Sequence, residues 1–203
     1  MSRLENIALT GRALGALFYF SPQTPQAHPL VAAFTSGSWL QEWPWAGERL
    51  NRIAENMQLA APHASKLDET WQRLFIGPDA LPAPPWGSVW LDKENVLFGD
   101  SLLALRGWMQ HLGIQHETNQ NEPEDHIGTL LMLAAWLAEN GQEQATNELL
   151  AWHILPWVPR FLDVLEESEP GDFYSALCQL TRVTLHHWQS GSPVPVAEKP
   201  LWR

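Results

Sequence analysis

The chain has 203 residues, 45% hydrophobic and 17% charged, enough apolar material for one sizeable core and too little charge for a disordered polymer. Twelve Lys and Arg stand against 23 Asp and Glu, a formal charge of −11, which excludes a nucleic-acid-binding surface and favours a cationic partner at encounter. A single cysteine, Cys178, excludes an internal disulfide and a thiolate zinc cluster.

In chain order, Arg3 and Arg12 precede the apolar run from Ala13 to Phe20. Glu5 interrupts that basic region and no A-x-A pattern follows, so the segment does not read as a secretion signal. Instead Leu4, Ile7, Gly11, Leu14 and Phe18 recur at helical spacing and predict a first helix. Leu50, Ile53, Ala54 and Met57 make a second stripe. Leu67, Trp71, Leu74 and Phe75 make a third, stopped by Gly77-Pro78. The stretch from Gly77 to Gly99 breaks the pattern. Pro78, Pro82, Pro84 and Pro85 forbid a continuous helix, yet Leu81, Trp86, Val89, Trp90, Leu91, Val96, Leu97 and Phe98 are too apolar for a linker. It is predicted to be ordered and largely non-helical, either packed over the core or lining a groove.

Asp100 or Ser101 is predicted to cap a helix carrying Leu102, Leu105, Trp108, Met109 and Leu112. Pro123 and Gly141 bracket a central helix, apolar on nearly all sides from Leu130 to Ala138. Those nine residues are too few to span a bilayer, which needs about 20. Leu149, Leu150 and Trp152 belong to a helix broken at Pro156, and Phe161, Leu162 and Leu165 continue the pattern. Asp172 caps a last helix with Phe173, Leu177, Leu180 and Trp188, in which Cys178 reads as a buried packing thiol. From Ser190 to Arg203, Pro193, Pro195 and Pro200 predict an extended tail that Leu201 and Trp202 dock on the body. The expectation is one all-α globular domain over residues 1–203, soluble and cytoplasmic, without membrane insertion.

Twelve Trp against seven Phe and two Tyr is the compositional oddity, and Trp suits interfaces and peptide grooves. Trp86 and Trp90, in the Pro-rich stretch, are the two candidates for a binding surface. The segment Asn121-Glu122-Pro123-Glu124-Asp125-His126 has two readings. Its acids complement the dipole of a helix starting at Pro123, or Glu122 and Asp125 offer carboxylates to a cationic ligand. Asp125 could then fix the tautomer of His126 or raise its pKa. No G-x-S-x-G, phosphate-binding Gly-rich loop or H-E-x-x-H is present. His111 and His116 are five apart, and His186 and His187 are adjacent, so neither pair shares a helix face. Glu122 and His126 alone make a poor metal site. No metal and no cofactor are expected. The competing readings are a small hydrolase or nucleotide-binding protein using Asp125 and His126, and a structural helical subunit with the Pro-rich loop packed shut.

Three segments together carry a family resemblance. They are Trp71-Gln72-Arg73-Leu74-Phe75-Ile76-Gly77-Pro78; Pro84-Pro85-Trp86-Gly87-Ser88-Val89-Trp90-Leu91-Asp92 with Leu97-Phe98-Gly99-Asp100; and Asn121-Glu122-Pro123-Glu124-Asp125-His126. The chain resembles the redox enzyme maturation proteins, which proofread twin-arginine signal peptides, and within them the dimethyl sulfoxide reductase branch. The resemblance runs from Leu14-Gly15-Ala16-Leu17-Phe18 to Lys199-Pro200-Leu201. It implies an all-helical fold without catalytic activity. It implies, as partner, the twin-arginine signal peptide of a molybdopterin oxidoreductase subunit, with translocase components as further partners and a monomer or domain-swapped dimer as oligomeric state. It also implies a signal-peptide site formed by Trp71, Leu74, Phe75, Pro85, Trp86, Gly99, Glu122, Pro123, Asp125 and His126.

Overall fold

The computed structural model describes residues 1–61, 66–115 and 122–203. His116 and Asn121 lie outside them. The helices are α1 Arg3–Tyr19, α2 His28–Ser36, α3 Glu48–Ala60, α4 Leu67–Phe75, α5 Gly87–Leu91, α6 Asp100–His111, α7 Ile127–Glu139, α8 Glu143–Leu149, α9 Val158–Ser168 and α10 Phe173–Ser190. A 3-10 turn at Ser38–Gln41 and a π-helical turn at Leu150–Ile154 also lie among the described residues. Among the described residues there is no strand, only one isolated bridge, so the all-α expectation holds.

The first helix starts on a capping box: Ser2 Oγ accepts from the Glu5 N–H at 3.2 Å, and the Glu5 side chain accepts from the Ser2 N–H. It then lies directly on α7. A Cβ on Gly15 would stand 2.6 Å from Met132 Cγ and 2.8 Å from the Gly128 carbonyl, so only glycine allows this approach. Helices α9 and α3 flank α10, α2 packs on α3, and α5 on α6. Edge-on aromatics tie the layers: Phe18 meets Phe75 and Phe161 at 6.1 Å each, and Phe161 meets Trp157 at 5.6 Å and Trp90 at 6.2 Å. The tail crosses the π-helical turn through Ala197 N–H to Ala151 O at 2.9 Å. It reaches α5 through Trp202 N–H to Trp90 O, also 2.9 Å.

Three expectations need correction, and one helix is an addition. Trp90 is no surface residue; it is completely buried, with its indole N–H donating to Pro84 O at 2.8 Å. Helix α7 starts at Ile127 rather than Pro123, because residues 123–126 form a turn, His126 N–H to Pro123 O at 3.2 Å, and His126 then pairs with the segment 85–87. Asp100 and Ser101 do not cap α6; the cap is Gly99, and Asp92 accepts from the Ser101 N–H at 3.1 Å. The helix at His28–Ser36 was not anticipated, although Pro29 stands in its first turn, where proline is favoured.

Candidate functional site

The segment 85–87 cannot continue a helix through Pro84 and Pro85, and it pairs instead with residues 125–127. Gly87 N–H donates to Asp125 O at 3.1 Å, and Ile127 N–H to Pro85 O at 2.8 Å, an antiparallel bridge between Trp86 and His126. This fixes two sequence-distant motifs side by side. The half-buried Trp86 turns its indole N–H onto Glu122 Oε1 and its ring edge toward His126, 6.0 Å between centroids. Tyr19, at the end of α1, packs on the other side of His126 at 5.2 Å, with Phe20 beside it at 5.0 Å.

Burial sets the electrostatics. It raises the pKa of Glu122, and the indole N–H opposes this. It also raises the pKa of Tyr19, with Glu122 adding to the rise. His126 is 5% exposed and burial lowers its pKa to about 3, so it is neutral; its Nδ1 accepts from the Gly128 N–H at 3.0 Å and caps α7. Asp125 is 4% exposed. Its Oδ2 accepts from the Ser88 N–H at 2.6 Å, while Oδ1 has no hydrogen-bond partner among the described residues. Burial raises its pKa against that hydrogen bond. The expected Asp125–His126 pairing is therefore absent: the carboxylate joins α5, the ring joins α7, and the histidine pKa moves down. Glu124 is paired with Arg106 at 2.8 Å.

Of the residues expected at the site, Pro85, Trp86, Glu122, Pro123, Asp125 and His126 come together here, both prolines buried. Trp71, Leu74 and Phe75 form a second group on α4. Trp71 is half-buried with an indole N–H that has no acceptor among the described residues, while Leu74 and Phe75 are buried. The end of α1 joins the groups, because Phe18 contacts Phe75, Tyr19 contacts His126, and Ser21 donates to Asp68 on α4. Gly99 stands apart at the start of α6, where an added Cβ would meet the Asp92 carboxylate at 2.2 Å. Tyr19 and Phe20 escaped the sequence reading. Their signal was an aromatic triplet, Phe18-Tyr19-Phe20, closing an apolar helix.

What the face can do is hold a ligand that presents apolar surface and positive charge. Half-buried aromatics offer the first, and Glu122 offers a carboxylate on a partly desolvated rim. Among the described residues no three His, Cys, Asp or Glu side chains form a metal-holding group.

Comparison with known proteins agrees in kind. Residues 44–163 match the nitrate reductase delta subunit family model. The chain is 55% identical to the Tat proofreading chaperone DmsD of Salmonella typhi, over 98% of this chain and 97% of that one. It is 44% identical to the probable Tat proofreading chaperone DmsD of Haemophilus influenzae, over 92% and 91%. A crystal structure of a redox enzyme maturation protein from Archaeoglobus fulgidus has the same fold, with a TM-score of 0.59 at 18% identity over 92% of this chain and 94% of that one.

Proposed function

This chain belongs to the nitrate reductase delta subunit family, and from that membership and the Trp86–Glu122 face we propose that it is a proofreading chaperone for the twin-arginine signal peptide of a molybdopterin oxidoreductase subunit, dimethyl sulfoxide reductase in the first instance. It works by binding and release, without turnover, and keeps the precursor in the cytoplasm until it is folded. Among the described residues no helix is long and apolar enough to cross a membrane.

The observation that carries this reading is the antiparallel bridge between Trp86 and His126, which sets an aromatic surface beside the Glu122 carboxylate. A twin-arginine signal has two adjacent arginines followed by an apolar stretch. Trp86, Trp71 and Tyr19 receive apolar side chains, with Leu74, Phe75, Pro85 and Pro123 as their support. Glu122 faces a guanidinium, whose planar fork suits a carboxylate. Asp125 and His126 position the face from beneath it. Each apolar anchor is worth about 1.5–3 kcal/mol. Three or four of them, less about 2–5 kcal/mol for ordering the peptide, leave at most about 10 kcal/mol, so micromolar binding, at about −8.2 kcal/mol, lies toward the tight end of what the face supplies. That affinity allows release to a translocase.

The hydrolase or nucleotide-binding alternative finds no dyad here, since Asp125 and His126 are bound to different backbone groups. The test is co-purification from the host with mass spectrometry of the bound material. The expected result is a reductase precursor that keeps its signal peptide, and loss of that precursor when its two arginines and apolar stretch are deleted. A precursor retained after that deletion would refute the signal-peptide reading.

A further inference from the structure

Between α5 and α6 the chain exposes four large apolar side chains within eight residues: Val96 (50% exposed), Leu97 (39%), Phe98 (53%) and Leu103 (57%). A concentration of this kind marks an interaction surface rather than scattered surface residues. The loop is pinned at both ends. Asp92 holds the Ser101 N–H and hydroxyl at the start of α6, and Asn95 Nδ2 donates to Trp202 O in the tail at 3.2 Å. Within it Asn95 and Phe98 adopt positive φ, +53° and +64°. That conformation is rare for a bulky residue, so the surrounding contacts hold the backbone at Phe98 against its local preference.

The loop is linked to the face described above through Arg106. The Phe98 ring lies under the Arg106 guanidinium, 5.7 Å from its centroid, and Arg106 bonds Glu124 at 2.8 Å, two residues from Glu122. Arg106 already neutralises Glu124, which leaves the charge of the rim at Glu122 and the apolar character along the loop.

Resting on the signal-peptide reading, we propose that Val96, Leu97, Phe98 and Leu103 extend the seat of the apolar segment beyond Trp86, for the same peptide whose arginines meet Glu122. The occupant is fixed by that order of chemistry: cations first, at the carboxylate, then a run of apolar side chains along an exposed apolar strip. Leu103 stands on α6, and Asp92 and Asn95 pin the loop that carries the other three, which lowers the ordering that binding requires.

The test uses the full chain and two synthetic peptides, titrated calorimetrically. One carries two adjacent arginines followed by a Leu- and Ala-rich segment; the other replaces that segment with Ser and Gly. The protein variant is Phe98→Asn with Leu103→Gln, Asn being tolerated at positive φ. A second variant, Val96→Ser with Leu97→Ser, guards against a local effect of the first. For the apolar peptide each double variant is expected to bind about tenfold or more weakly than wild type. The Ser/Gly peptide is expected to bind wild type and variants alike. If both variants bind the apolar peptide as wild type does, the strip is not its seat and the proposal fails. If the variants instead turn a dimer into a monomer with unchanged peptide affinity, the strip joins two copies and the proposal also fails. If wild type binds neither peptide, it is the signal-peptide reading that fails.

Discussion

His126 lies between Tyr19 and Trp86 with its Nδ1 engaged by the Gly128 N–H, and burial lowers its pKa to about 3, against an ordinary value near 6.5. The unfolded chain therefore takes up this proton first as pH falls. Stability drops between about pH 6.5 and 3, by up to about 1.4 kcal/mol per pH unit for this one group. Asp125, whose pKa is raised by burial, acts in the opposite sense and loses its contribution as pH rises. Comparing wild type with His126→Gln isolates the histidine: denaturant midpoints at pH 7 and pH 4.5 should differ less in the variant. Equal differences would mean that His126 protonates freely in the folded state. Glu122 is the residue for the charge part of binding, since Asp125 is spent on Ser88. Glu122→Gln should flatten the salt dependence of peptide affinity between 0.1 M and 1 M salt, over which the Debye length falls from about 10 to about 3 Å. Asp125→Asn should alter that slope less and keep the fold. Titration calorimetry at the two salt levels decides it, and a flatter slope for Asp125→Asn than for Glu122→Gln would reverse the assignment.

The central element is the α1–α7 pair, and its close approach positions the face because Tyr19 ends α1 and His126 caps α7. A Cβ on Gly128 would stand 2.7 Å from Tyr19 Cβ and 2.8 Å from the Gly15 carbonyl, neither of which can swing away. Gly128→Ala should cost about 1–3 kcal/mol, read from chemical denaturation, and weaken peptide binding through displacement of Tyr19 and His126. Wild-type stability with wild-type binding would show that the helices yield. The stripes of α1, α3, α4 and α10 were legible in the sequence because each buries one face at helical period. The start of α7 was not. Glu122 to Asp125 have the composition of a first turn, and only the long-range pairing with residues 85–87 draws them out of the helix. Trp86 and Trp90 read alike for the same reason. They stand at the entry and on the inner face of α5, and no local pattern separates them. Glu122 and Trp86 were legible as site residues from their motifs, whereas Tyr19 depended on which helix ends meet in space.

At the scale of the whole molecule, the tail ties separate parts together. Lys199 Nζ donates to Trp152 O at 2.9 Å, Trp202 N–H to Trp90 O at 2.9 Å, and Arg203 to Leu81 O at 3.2 Å. Deleting residues 196–203 should speed amide hydrogen exchange in the segment 81–98 while leaving the α1–α7 amides as they are, since local opening follows local contacts. Uniform protection in both regions would mean that the tail is not holding the loop. The same molecule-wide arrangement allows one direct measurement of the claim that the Trp86–Glu122 face receives the signal peptide. Twelve indole N–H groups can be followed in a nitrogen–proton correlation spectrum as a twin-arginine peptide is added, with Trp86→Phe assigning one signal. Trp86, whose indole N–H is bonded to Glu122, and the half-buried Trp71 should shift in a saturable manner. Trp157 and Trp188, buried in the core, should stay fixed. Saturable binding with Trp86 and Trp71 unmoved would contradict the claim and place the peptide elsewhere on the molecule.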